Sequence, residues 1–531
     1  MGSIDLDNHS LFAPAEIAAK DFGWALAMVN GAHFRTRRSY LLNELPFEEG
    51  DCFDEAELAN AVRNIRDLDF IARVTAESVP LGDSTVAVHV QTWDEWSTGG
   101  GADFDIENSF QFKGFTLSEK NAFGRGLRAS FRYRSFRERR DKSFTLGSVR
   151  FLGTRALASV SGGTTRTGEY WRLDSSQPYL SEAGSFAYQN RMTLEDREYA
   201  YLTGAREGVT HALLPLYDKT WYAFAQKRIG VAGDLKIVGG EFDVVRRDVT
   251  GPIRQVEDFD FVAATTASAE FAARVAPQDT PDSWVRLGAS VGLRQVRFTT
   301  ATGLDLISGV QNVTLGKELI LTVGRTLYTW GTTSTDSYAE LDGFAQGQWG
   351  PVLAQVSGVA WGRMRDYAPT DGSRWRDLSL RGRAFLYWQP PPTGVHTAVL
   401  GVRYDLRGNV DQLWQMPLGG EDGVRGYQED ELPTSSLVVM YAEERINLPW
   451  FKPAVDLGLS ATADLGRGWA ADVPFGQDTG WRASVGGGLR IGFPAGTGTV
   501  TRIEVTWPVG PAASGKGPVL RTYWSPVRTR R

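Results

Sequence analysis

The stretch Leu127-Arg-Ala-Ser-Phe-Arg-Tyr-Arg134 alternates between apolar and polar side chains at every position. Because successive side chains of a β-strand point to opposite faces, this pattern predicts a strand with one apolar face and one face rich in arginine. The same alternation recurs at residues 378–388 and 502–507, and from about residue 103 onward it replaces helical spacing. The chain is therefore predicted to be mainly β-sheet beyond that point.

The environment of these strands is indicated by their length. Strands of a soluble sandwich have about 5–6 residues, whereas the segments here are longer and repeat without intervening helices. An apolar exterior and an arginine-bearing interior are typical of a barrel in lipid with a wet lumen. Aromatic residues near the predicted strand ends fit the belts at membrane interfaces. These residues are Trp221, Trp330, Tyr387, Trp388, Trp507 and Trp524. A soluble sandwich or propeller is the alternative.

Composition excludes several classes of protein. The 531 residues contain no run of about 20 apolar residues, which a membrane-spanning helix needs. The formal charge of −6 argues against a nucleic-acid partner. The single cysteine, Cys52, excludes a disulfide framework and a cysteine-based zinc site. The five histidines have no ligand spacing, so neither a metal nor a cofactor is expected, and residues 1–30 show no signal peptide.

Residues 23–94 predict a separate small α/β domain of order β-α-α-β-β. An apolar strand is predicted at residues 24–29, followed by a helix that Thr36 caps. Asp54 begins a second helix through a pattern like a capping box. Two strands between residues 71 and 92 complete the domain, the second of them alternating in valine.

The segments before and after this domain receive separate interpretations. Residues 1–22 are interpreted as an N-terminal segment, which is a linker, a truncated remnant or a plug helix. The glycine-rich residues 97–101 are interpreted as a linker, and residues 95–531 as one transmembrane antiparallel β-barrel. The alternation indicates between 16 and 19 candidate strands, and because bacterial barrels close with even numbers, about 16 strands are predicted.

A long connection at residues 407–433 contains Gly419-Gly-Glu-Asp-Gly-Val-Arg-Gly-Tyr427. Loops of this length are usually functional or disordered. Glycines beside Arg425 let the loop tip fold tightly, and a guanidinium on such a tip can form a bidentate pair with a carboxylate in the lumen. An ordinary polar surface turn is the alternative.

Taken together, these motifs resemble the POTRA-plus-barrel outer-membrane superfamily, which includes BamA, TamA and the two-partner-secretion transporters. Residues 23–94 resemble one POTRA domain, and residues 119–126 resemble the turn after the first barrel strand. Val424-Arg-Gly-Tyr427 matches the signature of the loop that folds into the lumen. The resemblance covers residues 23–531 and implies an outer-membrane barrel with its POTRA domain in the periplasm.

The resemblance also implies a site inside the barrel. Its lumen-loop signature comprises Gly423, Val424, Arg425, Gly426 and Tyr427. Five strands should follow this loop. Glu443 resembles the family's inward glutamate, and Asp464 resembles the aspartate of its Asp-x-Gly motif. Arg425 is therefore expected to pair with Asp464 or Glu443, with Glu444 as the competing assignment for Glu443.

The implied function is the handling of unfolded outer-membrane or secreted polypeptides. The preferred hypothesis is insertion of β-barrel proteins through a lateral seam between the first strand, at about residues 104–115, and the last, at residues 519–524. The candidate seam residues are Phe110, Phe112, Leu520, Thr522 and Trp524. The alternative is a polypeptide translocation pore of the two-partner-secretion type.

Expected partners are the client polypeptides, the lipid bilayer, and periplasmic or lipoprotein partners that bind the POTRA domain. A barrel enzyme is a third and unfavoured hypothesis. His211 and His396 are the barrel histidines, and no Gly-x-Ser-x-Gly motif accompanies either. No catalytic residue is predicted.

Overall fold

The computed structural model describes residues 1–526, apart from residues 13, 20–21, 83–84, 106–110, 136–139, 180–181, 183, 207, 277–281, 330, 334, 368–371, 393, 429–430 and 449–453. Within these residues, no helix combines the length and apolar character needed to cross a membrane. The described chain forms an N-terminal α/β domain and a large antiparallel sheet that closes into a barrel.

The N-terminal domain packs four helices with a three-stranded sheet. Its elements are β1 (Ser3–His9), α1 (Pro14–Ala18), α2 (Gly23–Ala32), α3 (Arg38–Leu42), α4 (Glu55–Arg66), β2 (Ile71–Pro80) and β3 (Val86–Asp94). The sheet order is β1-β3-β2, with β1 parallel and β2 antiparallel to β3. Leu41, Ile65 and Val88 are buried in its core. Asp54 caps α4 as predicted, because its side chain accepts a hydrogen bond from the Ala56 amide at 2.8 Å.

The predicted start of this domain is wrong. Residues 24–29 belong to α2, since a short apolar run fits a helix as well as a strand and only Gly23 and Leu26 are buried there. The first strand is instead β1, in which Leu6 and Asn8 are buried while Asp5 and Asp7 are exposed. Residues 3–9 therefore supply an edge strand of the sheet, where a linker or remnant had been predicted.

Twenty strands make the barrel wall over the described residues. They are β4 (Thr98–Asp105), β5 (Gln111–Ala122), β6 (Leu127–Ser135), β7 (Arg140–Ser148), β8 (Leu157–Thr165), β9 (Gly168–Gln177), β10 (Phe186–Arg206), β11 (Val209–Val231), β12 (Asp234–Val249), β15 (Trp284–Thr302), β16 (Val310–Thr326), β17 (Asp336–Trp349), β18 (Val352–Arg365), β19 (Trp375–Trp388), β20 (His396–Gly408), β23 (Ser436–Leu448), β24 (Asp456–Trp469), β25 (Gly480–Gly492), β26 (Thr499–Val509) and β27 (Val519–Pro526). The wall closes where β27 meets β4.

The predicted count of 16 strands is wrong, and the reason lies in composition. Strand β4 begins Thr-Gly-Gly-Gly, the stretch interpreted as a linker, and β8 is rich in serine, glycine and threonine. Such strands have too few apolar side chains to show alternation. Because β4 is first, the turn at residues 119–126 follows the second strand rather than the first. The five strands predicted after the long loop are confirmed as β23 to β27.

A cap covers the end of the barrel that lies opposite the N-terminal domain, called here the far end. It contains β13 (Arg254–Glu257), β14 (Thr265–Thr266) and α5 (Ala269–Val275), and β13 pairs with the start of β11. Phe271 of α5 packs on Phe475 in a buried cluster. The helix was not anticipated, because seven residues are too few to show helical periodicity.

The two faces of the wall match the alternation in the sequence. Leu127, Leu380 and Trp507 are large apolar side chains exposed on the outside, whereas Arg363 and Arg490 are buried within. Tyr387, predicted for the aromatic belt, instead points inward and is buried, while Trp388 is exposed. Trp330 lies outside the described residues.

The N-terminal domain docks on the other end of the barrel, called here the domain end. The Arg37 amide donates to the Gly124 carbonyl at 3.0 Å in the turn between β5 and β6. Arg150 Nε, in the turn after β7, lies 2.7 Å from Glu44 Oε1. Because wall strands alternate in direction, the turns at residues 303–309 and 493–498 lie at this same end.

Candidate functional site

The long loop between β20 and β23, residues 409–435, folds into the barrel and is called here the lumen loop. Two short strands, β21 (Met416–Pro417) and β22 (Pro433–Thr434), pair at its base. Val424 and Tyr427 are buried in a cluster with Leu437 and Val439 of β23. The loop tip thus has an apolar core of its own, which fixes where Arg425 points.

Gly426 lets this tip lie directly against the wall. A Cβ atom at this position would lie 2.6 Å from the Ser484 Cβ and 2.7 Å from the Pro508 amide nitrogen. These atoms belong to β25 and β26, whose paired backbones have little freedom to move apart. The glycine is therefore required by close approach, as the sequence motif suggested.

Arg425 and Asp464 form a bidentate ion pair inside the lumen. Arg425 Nη2 lies 2.6 Å from Asp464 Oδ1, and Nε lies 2.9 Å from Oδ2. The Arg425 amide also donates to Asp464 Oδ2 at 3.1 Å, as does the Ser484 hydroxyl at 3.1 Å. Both side chains are buried. Four donors on one carboxylate, two of them from a guanidinium, make this a strong and directional contact.

Three further residues hold the tip and were not singled out from the sequence. Arg425 Nη1 lies 3.2 Å from Glu504 Oε2, and the Thr506 hydroxyl donates to the Arg425 carbonyl at 2.8 Å. Arg521 of β27 donates to the carbonyls of Arg425 and Tyr427, the latter at 2.7 Å. The sequence pattern could have indicated Glu504 and Thr506 as lumen residues, since both lie on the polar face of residues 502–507.

Glu443 faces the lumen but does not contact Arg425. Its carboxylate lies 3.0 Å from Arg445 Nε and 3.3 Å from Arg502 Nη2. Glu444 points outward, where its Oε1 lies 3.2 Å from His396 Nδ1. Of the two expected partners, the structure therefore brings Asp464 to Arg425, whereas Glu443 is connected to Arg425 only through Arg502 and Glu504.

Residues 303–309 form a second loop inside the barrel, called here the floor loop. Leu304 and Leu306 are buried, and Leu304 packs with inward-facing residues of the wall. Asp305 Oδ1 lies 3.0 Å from Arg445 Nη1 and 3.3 Å from the Tyr387 hydroxyl. The floor loop thus occupies the lumen at the domain end, as the lumen loop does from the far end.

An uninterrupted series of contacts joins the two loops. Because Arg502 also bonds to Glu504 and Glu443, opposite charges alternate from one loop to the other. We call this series the ion-pair chain, and its members in order are Asp464, Arg425, Glu504, Arg502, Glu443, Arg445 and Asp305. Charges at such depth are costly unless every neighbour is paired.

A cavity of about 730 Å³ adjoins both loops along the wall from β15 to β20. Its lining includes Arg381, Arg383 and Arg403 as well as Asp422 of the lumen loop. Helix α4 of the N-terminal domain covers it at the domain end. There the Arg63 guanidinium stacks 3.7 Å from the centre of the Phe298 ring, and Arg66 Nη1 lies 2.9 Å from Asn312 Oδ1.

The predicted seam residues fall in three places. Leu520, Thr522 and Trp524 belong to β27, which adjoins β4 as expected. Phe112 belongs to β5 and so lies one strand away from the seam, because the glycine-rich β4 was not recognised as a strand. Phe110 lies outside the described residues.

The two barrel histidines lie apart from the ion-pair chain. The His211 ring is buried against Phe259 and Phe261, and its Nδ1 lies 3.1 Å from the Thr210 hydroxyl. His396 is on the outward side of β20 beside Glu444.

Comparison with known proteins gives structural neighbours only. No protein-family model and no curated protein sequence matches the chain. CdiB from Escherichia coli is 15% identical with a TM-score of 0.45, over 98% of this chain and 75% of that chain. CdiB from Acinetobacter baumannii is 10% identical with a TM-score of 0.43, over 98% and 74%.

BamA from Haemophilus ducreyi, in a form lacking POTRA domains 1–3, is 13% identical with a TM-score of 0.39, over 98% of this chain and 84% of that chain. The chain is similar to outer-membrane barrels of the CdiB and BamA kinds.

Proposed function

We propose that this protein is a bacterial outer-membrane barrel with a periplasmic POTRA domain, and that it inserts other β-barrel proteins at its seam. The apolar outer face and charged lumen support placement in a bilayer. The β1-β3-β2 sheet with two long helices, α2 and α4, supports the POTRA assignment. On this proposal the chain acts on unfolded polypeptides without catalysis of its own.

The observation that carries the proposal is the composition of the two strands at the seam. The two strands that meet there are β4 (Thr98–Asp105) and β27 (Val519–Pro526). Glycines 99–101 in β4 have no side chains to pack across the pair, and Pro518 and Pro526 at the ends of β27 cannot donate backbone hydrogen bonds. A pair with few side chains to pack and fewer backbone donors separates at lower cost, and the exposed strand edges can then template a client strand.

The contents of the lumen also favour a sideways route. The lumen loop and the floor loop fill the barrel from opposite ends, and the ion-pair chain fixes both. A client strand that pairs at the seam would leave these contacts intact. The free energy for insertion would then come from the folding of the client itself.

Crosslinking tests this proposal. In a Cys52→Ser background, Gly99→Cys, Gly100→Cys or Gly101→Cys is combined with Thr522→Cys, and the disulfide is formed by oxidation. We expect the locked protein in liposomes to lose insertion of a urea-denatured outer-membrane barrel, and reduction to restore it. The matched control joins β5 to β6 through Ser118→Cys and Ser130→Cys, which are directly opposite one another. Full insertion by a seam-locked protein would overturn the proposal.

Polypeptide translocation through the lumen is the second candidate, and the 730 Å³ cavity favours it. Removal of residues 1–22 is one way to open such a pore if these residues block it. It would, however, delete β1 and damage the N-terminal domain. The floor loop is the better target. Replacing residues 304–307 by a Gly-Ser linker should raise single-channel conductance in planar bilayers if the cavity continues through the barrel. Unchanged conductance would count against translocation.

A further inference from the structure

Helix α2 exposes an apolar face that the N-terminal domain itself does not cover. The exposed fraction is 72% for Trp24 and 68% for Met28, which lie one turn apart on the side opposite Leu26. Phe22, just before the helix, is also exposed. Large apolar side chains that cluster on a surface usually mark a contact with a protein or a membrane.

The position of α2 relative to the barrel indicates which contact this is. Leu26, on its buried face, packs in one cluster with Trp96, two residues before β4, and with Ala454, two residues before β24. Beyond the helix, the exposed Phe34 ring lies 5.5 Å from that of Phe123 in the turn between β5 and β6. The apolar surface of the domain is therefore continuous with the domain end of the barrel wall, beside the seam.

The same end of the wall carries a row of exposed aromatic residues. They lie at strand ends or in domain-end turns, and they are Phe123, Phe186, Trp349, Trp388 and Phe493. Aromatic side chains at this position along transmembrane strands sit at the level of the lipid headgroups. The apolar surface of α2 is joined to this row through Phe34, so it lies at the level of the headgroups as well.

Charge on this surface suits phospholipid headgroups. Arg35 and Arg37 adjoin Phe34, and Arg125 adjoins Phe123, and all three side chains are exposed. The Arg37 Nε donates to the Phe123 carbonyl at 3.1 Å, which holds the two aromatic residues on one surface. Arginine beside exposed aromatic residues favours anionic headgroups over a neutral apolar partner.

We infer that α2, with residues 34–38, contacts the leaflet at the domain end, so that Trp24 and Met28 enter the boundary between headgroups and acyl chains. This inference rests on the proposed membrane location of the barrel. The occupant is the bilayer rather than a client polypeptide. Its consequence is that lipid is held against the N-terminal domain beside β4, where the seam would open.

The test uses an environment-sensitive fluorophore on single cysteines of the full chain in phosphatidylglycerol-containing vesicles. Met28→Cys in a Cys52→Ser background carries the label, and vesicle lipids carry a nitroxide high on the acyl chain. The native Cys52 is exposed and provides the control. Cys52 lies two residues after Gly50, whose amide donates to the Met1 carbonyl beside the start of β1. That end of β1 is roughly 20 Å from the end of the strand that faces the barrel.

We expect the nitroxide lipid to quench the label at position 28 and not the label on Cys52. Trp24→Asp should reduce that quenching by about twofold, since a carboxylate resists entry into the interface. An unquenched label at position 28 overturns the inference, as does quenching that occurs equally at Cys52. A label at Leu380→Cys on the outer wall distinguishes failure of the inference about α2 from failure of the proposed membrane location. If it too is unquenched, the membrane location itself fails, whereas a quenched wall with an unquenched α2 refutes only the inference.

Discussion

Arg425 and Asp305 lie on loops that enter the barrel from opposite ends, and four charged side chains connect them without a gap. The connecting residues are Glu504, Arg502, Glu443 and Arg445. Within a wall of low polarity, each charge in such a series depends on its neighbours, because an unpaired buried charge is strongly unfavourable. The lumen loop and the floor loop are thus parts of one electrostatic unit.

Arg425→Ala should release the lumen loop while leaving the barrel folded. The change removes both ion pairs of the tip and leaves Asp464 as a buried carboxylate without its guanidinium, at a cost of about 3–5 kcal/mol. We expect weakened insertion activity and faster protease cleavage within residues 409–435, with retention of the heat-modifiable band on gels. Arg403→Ala is the control, since Arg403 also contacts this loop, at Asp422, but is only partly buried. A fully active Arg425→Ala protein with a protected loop would contradict the role assigned to this contact.

Asp464→Asn and Glu443→Gln should differ in which loop they expose first, although both carboxylates face the lumen. Asp464 holds Arg425 directly, so its loss should expose the lumen loop to protease. Glu443 holds Arg445, which binds Asp305, so its loss should expose the floor loop. Mass spectrometry of the first cleavage products distinguishes the two. Glu444→Gln changes an outward side chain and should alter neither, and identical cleavage of both variants would argue against the assignment.

A double-mutant cycle measures whether the ion-pair chain couples the loops. Asp305→Asn and Arg425→Gln are made singly and together, and the free energy of unfolding is obtained from urea titrations in detergent. The two side chains do not touch each other, yet we expect a coupling energy above about 0.5 kcal/mol, the level below which distant sites are additive. Asp218→Asn replaces Arg425→Gln in the control cycle, because Asp218 pairs with Arg197 and Arg247 elsewhere in the wall. Additivity in both cycles would mean that the loops are held independently.

Some parts of this site could be predicted from the sequence and others could not, for physical reasons that differ between them. Asp464 was expected from the resemblance of its Asp-x-Gly motif, and the five strands after the loop follow from alternation, which is a local property. The floor loop was missed because residues 303–309 look like any short apolar turn, and only the closed wall brings Asp305 to Arg445. Strand β4 was missed because glycine has no side chain to alternate. Its pairing is determined by neighbouring strands rather than by its own composition.

Arg521→Ala tests whether the lumen loop helps to keep the seam closed. Arg521 belongs to β27, and it donates to two carbonyls at the loop tip, so the last wall strand is attached to the lumen as well as to β26. Removing the guanidinium takes away this second attachment without changing the backbone pairing. We expect faster hydrogen exchange of the amides at residues 519–522, while exchange in β23 and β24 stays unchanged.

Thr522→Ala is the matched control for Arg521→Ala, because Thr522 is an exposed residue on the same strand. If both variants exchange alike, the loop does not contribute to the seam. If Arg521→Ala alone accelerates exchange and also raises the rate of client insertion, then the loop restrains the step at which the barrel opens. The signature loop would in that case act on the seam through Arg521 of the last strand, while the Arg425–Asp464 pair keeps the loop itself in place.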